Sequence, residues 1–175
     1  MVAAAQARFG GVDLLVNNAG EFGIKPFLEV TEQELDHFYT VNLKGTYLTT
    51  QAAVSAMTTQ GRGGNIVNIG TVLLAHAMSQ VTASAALVSK AGIQALTFAL
   101  AAELASQKIR VNCVMPGFIR TPLMNPDHEG TLAAAALLGR VGEVRDIALA
   151  VRYLADASFV TGQLVNVDGG FVTGR

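Results

Sequence analysis

The 175 residues predict an α/β layered fold built on a parallel sheet of about four strands. Two observations carry that prediction. Val12–Val16, Asn65–Ile69, Ile109–Met115 and Leu164–Val167 are short apolar runs, the pattern of strands buried within a sheet. Helix-length stretches separate them, as right-handed crossovers between parallel strands require.

Composition narrows the class. Half of the chain is apolar, 14% is charged, and the net charge is −1 without any run of like charges. Neither nucleic acid nor an anionic membrane is predicted as a partner. Cys113 is the only cysteine and sits in an apolar run, so no intrachain disulfide forms and a buried thiol is expected. No signal-peptide pattern opens the chain. The most apolar helix is interrupted by Lys90, Gln94 and Glu103, which argues against a membrane span. The expectation is a soluble, cytoplasmic protein, one domain over residues 1–175, with no metal site, repeat or linker.

In chain order, Met1–Phe9 reads as the tail of a helix ended by Gly10-Gly11. Val12–Val16 follows as a strand covered on both faces, and it runs into Asn17-Asn18-Ala19-Gly20, small residues that let a ligand or backbone come close. Glu21–Val30 is a loop. Thr31 opens a capping box with Glu34 ahead of a helix reaching about Thr59, which contains Asn42 in VNLKGTYL. The strand Asn65–Ile69 leads into Gly70-Thr71. Ala83–Leu100 is a helix with Leu87, Ile93, Leu96 and Leu100 on one spacing and Lys90 in the gap of that row. The strand Ile109–Met115 ends in Pro116-Gly117-Phe118-Ile119-Arg120-Thr121. Pro122–Arg140 commits to no single periodicity, Glu143–Leu154 is an amphipathic helix, and Leu164–Val167 is the last strand.

Five of these motifs, in this order, resemble the short-chain dehydrogenases/reductases: NNAG at Asn17–Gly20, the Asn42 segment, SKAG at Ser89–Gly92 with its Ala/Leu-rich helix, the PGxxxT element, and SxxTGQxxxVDGG from Ser158. The resemblance covers essentially the whole chain. It implies a Rossmann-like three-layer parallel sheet, of which this chain carries the C-terminal part, the first βαβ cofactor half being absent. It implies an NAD- or NADP-dependent oxidoreductase acting on a carbonyl or alcohol group. Asn42, Thr71 and Lys90 take catalytic positions. Asn17, Ala19, Gly20, Lys90, Pro116, Gly117, Ile119 and Thr121 take the nicotinamide-side binding positions. Pro122–Arg140 takes the place of a mobile substrate-covering segment.

Two departures from the family pattern bear on activity. The proton-donating Tyr belongs four residues before the Lys, where this chain has Ala86, and Tyr39, Tyr47 and Tyr153 all lie outside the stretch between Thr71 and Lys90. Neither G-x-G-x-x-G nor G-x-x-x-G-x-G occurs, so the pyrophosphate of a dinucleotide lacks its usual helix N-terminal turn. His76, Ser84 and Ser89 are the nearest substitutes for the Tyr. The expectation is a member with little or no redox activity as the chain stands and doubtful cofactor binding. Alternatives are a non-catalytic partner in a homo-oligomer or in a hetero-oligomer with a complete homologue, and a non-redox lyase or isomerase reusing the pocket around Lys90. Val12–Val16, left without its usual neighbour, is expected at a sheet edge.

Overall fold

Parallel pairing of four short apolar strands organises the molecule. The computed structural model describes residues 1–174. Leu14–Asn17 (β1), Gly64–Ile69 (β2), Ile109–Pro116 (β3) and Leu164–Val167 (β6) form one sheet in the order β1-β2-β3-β6, every pair parallel. A second, two-stranded sheet pairs Ile119–Arg120 (β4) with Gly142–Glu143 (β5).

Alternation of side chains along the strands divides the core into two layers. On one face Leu15, Ile66 and Val111 pack against Ala53 and Met57 of Gly45–Gln60 (α3) and Ala101 of Ser84–Glu103 (α4). On the other face Val67, Ile69 and Val114 pack against Leu154 of Val144–Asp156 (α6). Arg110 and Asn65 fasten the end of α6 to the sheet. The Arg110 guanidinium donates to the carbonyls of Leu154, Ala155 and Val160, and the Asn65 amide donates to Leu154 O. At Leu154 and Ala155 these bonds satisfy carbonyls that a helix C-terminus leaves without intrahelical partners.

β1 departs from the expected burial. Its apolar run predicts cover on both faces, yet Leu14 and Val16 are 41% and 37% exposed while Leu15 and Asn17 are buried. The reason is positional: β1 is an edge strand paired only to β2, and α6 packs over β2, β3 and β6. Val2–Phe9 (α1) lies against α3 and ends at Gly10, whose φ of 76° is the left-handed conformation of a helix C-cap.

A row of polar side chains crosses the buried face between β1 and α4. Asn17 Nδ2 donates to Thr50 Oγ1 at 2.9 Å and to Asn68 Oδ1 at 2.8 Å. Asn68 Nδ2 donates to Thr97 Oγ1 at 2.9 Å, and that hydroxyl donates to Ile93 O at 2.8 Å. Burial of these amides is tolerated because each finds a partner.

Three other readings are refined. The expected single helix from Thr31 is Glu32–Phe38 (α2), a π-helical turn over Tyr39–Lys44, and α3. Thr31 and Glu34 form the full capping box at its start. The Pro122–Arg140 stretch contains a short helix, Glu129–Ala135 (α5), and Arg120 pairs with both Glu129 and Glu143 around it. α4 has the length and mean hydropathy, 1.5, of a membrane-crossing helix despite its interrupting polar residues. It packs as a core helix, placing Ala85, Ala86, Lys90, Ile93 and Ala101 in the interior.

Candidate active site

Parallel strands leave a crevice beyond their C-terminal ends, and a cavity of this chain lies there. It encloses about 570 Å³, within the range of small-molecule sites. The ends of β2 and β3 supply Ile69, Gly70, Thr71, Pro116 and Gly117, α4 supplies Lys90, and α6 supplies Val144, Ile147, Ala148 and Val151.

Lys90 reaches the cavity from the buried face of α4. Its Nζ donates to Ile69 O at 3.0 Å. Burial pushes its pKa below the usual lysine value, with the neighbouring Cys113 acting weakly in the other direction. Burial pushes the Cys113 thiol up to about 11, so that neighbour stays uncharged at neutral pH. Among the described residues no carboxylate pairs with Lys90.

The loop after β1 descends onto this lysine. A Cβ at Gly20 would lie 2.9 Å from Asn42 Oδ1 and 3.0 Å from Lys90 Nζ, so any side chain there would have to push these two groups aside. Asn42 holds the loop in place: its Oδ1 accepts from Glu21 N at 2.7 Å and its Nδ2 donates to Glu21 O at 3.0 Å. The same Nδ2 donates to Ser89 Oγ at 2.8 Å, and Ser89 Oγ donates to Ala86 O at 2.7 Å. The π turn is what carries Asn42 inward, a local irregularity common at functional sites.

Thr71 lines the cavity with its hydroxyl oxygen accepting Leu73 N at 3.3 Å, which leaves its proton free to donate. Gly117 crosses close to the last strand: its N–H donates to Val167 O at 3.0 Å, and a Cβ there would lie 2.7 Å from Asp168 Cα. β4 then carries Ile119 to the cavity wall, and Thr121, just beyond the strand, lines it as well.

Thus Gly20, Thr71, Lys90, Pro116, Gly117, Ile119 and Thr121 share one cavity, whereas Asn17, Ala19 and Asn42 are off its wall. The Asn17 amide is held by Thr50 and Asn68, and Asn18, the next residue, faces the cavity instead. The sequence reading takes in Asn18 only as part of the Asn17–Gly20 motif, without singling it out, and misses Glu21, Phe22 and the α6 residues. The period-two alternation of β1 would have found Asn18, since inward Leu15 and Asn17 send it to the other side. The α6 residues were legible only as an apolar helix face. His76 does not line the cavity. Its ring packs edge-on against Phe171 with centroids 5.1 Å apart.

Residues 1–172 match the family model described as enoyl-(acyl carrier protein) reductase. The chain is 39% identical over 170 residues to the 3-oxoacyl-(acyl-carrier-protein) reductase FabG of Thermotoga maritima, covering 94% of this chain and 68% of that protein. It is 38% identical over 186 residues to a short-chain dehydrogenase/reductase of Armillaria gallica, with coverage of 98% and 70%. The chain belongs to the short-chain dehydrogenase/reductase family. A crystal structure of a short-chain type dehydrogenase/reductase from Mycobacterium marinum superposes with a TM-score of 0.93 at 34% identity, over 99% of this chain and 70% of that one. The sheet described above is therefore the Rossmann-like sheet of short-chain dehydrogenases/reductases. Its cavity lies where α/β folds of this kind bind ligands, beyond the carboxyl ends of the strands.

Proposed function

We propose that this short-chain dehydrogenase/reductase binds a small carbonyl or alcohol compound in the Lys90 cavity and has little or no redox turnover of its own. The observation that carries this reading is Ala86. It stands one helical turn before Lys90 on α4, is 0% exposed, and is not on the cavity wall. A methyl group donates no proton, and loss of a positioned general acid removes about 10²–10⁴ of rate. The three tyrosines do not line the cavity either.

The cavity suits the nicotinamide end of NAD(H) or NADP(H). Gly20 leaves room beside the Lys90 amine, and Pro116–Thr121 runs along the wall next to it. The chemistry such a cofactor supplies when bound is hydride transfer to or from carbon. Thr71 would donate its hydroxyl proton in a hydrogen bond to a carbonyl oxygen, Lys90 would donate to a ribose hydroxyl, and Asn42 would hold the Glu21 loop. These 175 residues contain no glycine-rich turn for the pyrophosphate, which removes a main source of dinucleotide affinity.

The test is a fluorescence titration of the purified chain with NADH and NADPH, followed by cofactor oxidation with a panel of aldehydes and ketones. A far-UV CD spectrum on the same sample establishes folding. The expected result is a folded protein with turnover far below the 1–10³ s⁻¹ ordinary for enzymes. Turnover in that range would overturn the reading.

A second reading, a structural partner in a homo-oligomer or alongside a complete homologue, is favoured by large apolar side chains exposed on α2, α3 and α4. Among them are Leu35, Tyr47, Leu48, Val88 and Phe98. Light scattering of the chain alone and mixed with such a homologue tests it.

A further inference from the structure

Among the described residues the Lys90 amine at the cavity has a single hydrogen-bond acceptor, Ile69 O, and no counter-ion. The one carboxylate on the same wall, Glu21, is held by His37 at 2.7 Å. The thiol beside Lys90, Cys113, is buried and uncharged at neutral pH. At the position one turn earlier, Ala86 offers no hydroxyl for the amine to serve. Apolar residues make up most of the opposite wall, where Val144, Ile147, Ala148 and Val151 of α6 stand.

We propose that Lys90 is a nucleophile that captures aldehydes in this cavity as a Schiff base. The Nζ lone pair attacks the carbonyl carbon, and the carbonyl π pair moves to oxygen, which takes up a proton released from the nitrogen. The carbinolamine oxygen then takes up the remaining proton of the nitrogen and leaves as water, the C–O bond breaking as the nitrogen lone pair forms the C=N bond. Amine plus aldehyde gives imine plus water, with no change of oxidation state and no further reactant. Thr71, with its proton free, would donate a hydrogen bond to the oxygen that leaves. Burial favours the neutral, nucleophilic amine over the ammonium, as in lysines activated by desolvation. The inference rests on the reading of this cavity as a carbonyl pocket, but it needs no cofactor.

The experiment incubates the full chain with benzaldehyde and sodium cyanoborohydride at pH 7.5, then maps the reduced adduct by mass spectrometry. The chain carries its own controls in Lys44 and Lys108, both exposed. Lys90 is expected to be labelled faster than either, because burial favours its neutral amine and the cavity holds the aldehyde beside it. Benzyl alcohol, which can fill the cavity without forming an imine, is expected to slow labelling at Lys90 alone. Lys90→Met should abolish that adduct and leave the other two unchanged. Should this variant not fold, the map on the unaltered chain decides by itself. Lys90 left unmodified, or modified no faster than Lys44 and Lys108, would overturn the proposal. Reduction of benzaldehyde by NADPH is read separately and bears on the low-turnover reading, so the two fail independently.

Discussion

The Asn42 amide bridges the Glu21 backbone and Ser89 Oγ, the latter at 2.8 Å, and so fastens the π turn, the loop after β1 and the helix bearing Lys90 to one another. Asn42 is completely buried. Asn42→Ala would remove the acceptor of the part-buried Glu21 N–H and the donor to the buried Ser89 Oγ. Each unsatisfied group costs about 1–3 kcal/mol. Urea denaturation should therefore show a lower midpoint with the slope unchanged. An unaltered midpoint would mean that water replaces the amide.

Ala86→Tyr would place on α4 the hydroxyl that the family resemblance implies there, but in a closed setting. The residue is fully enclosed, so the larger ring must displace its neighbours, and overpacking of a filled interior costs about 1–3 kcal/mol. The variant should be less stable than the parent chain and should not reduce aldehydes with NADPH. Reductase activity appearing in a stable Ala86→Tyr protein would show that the interior opens easily at this position.

Glu34 supplies a pH test. Its carboxylate accepts from Lys25, from the Thr31 backbone and from the Thr31 hydroxyl, and these contacts, the Lys25 bond foremost, lower its pKa from 4.5 to about 2. A depressed folded-state pKa contributes stability that is present above the unfolded value and is lost as pH falls through the folded one. Stability should therefore decline between about pH 4.5 and pH 2 as this cap protonates. Glu34→Gln should flatten that part of the profile in urea titrations at stepped pH. A parallel decline in both proteins would assign the acid sensitivity elsewhere.

Leu14 is exposed on an edge strand, a combination that promotes pairing between molecules. Leu14→Lys should keep the fold, since its side chain points away from the core, and should reduce concentration-dependent association measured by light scattering. Association undiminished by the charge would exclude this face as its source.

Much of the fold was legible because apolar runs and turn residues coincide along the chain. The strands at Asn65–Ile69, Ile109–Met115 and Leu164–Val167 needed only the end-residue adjustments seen in the structure. The Thr31 cap is a local pattern and was equally readable. The π turn was not, because Asn42 is drawn inward by partners 21 and 47 residues away. Nor was the one-sided exposure of β1, which depends on where α6 lies rather than on the composition of the strand. The β4–β5 pair is two residues on each side, too short to show any period. At the site, the glycines and Lys90 were readable from residue type and spacing. Asn17 and Asn18 look interchangeable by type, and strand parity separates their roles.

The polar row between Thr50 and Thr97 also works as a register lock. β1 is four residues long and paired on one side, so its apolar side chains alone would tolerate sliding along β2. Asn17 lies directly opposite Asn68, and their amides meet only in that alignment. A slip of one residue would turn Asn17 toward the solvent-facing side and leave Asn68 and Thr50 facing an apolar Val16. The strand that carries the Gly20 loop to Lys90 is thereby held at one position along its neighbour, and the distance from the sheet to the lysine amine is set by a pair of asparagines.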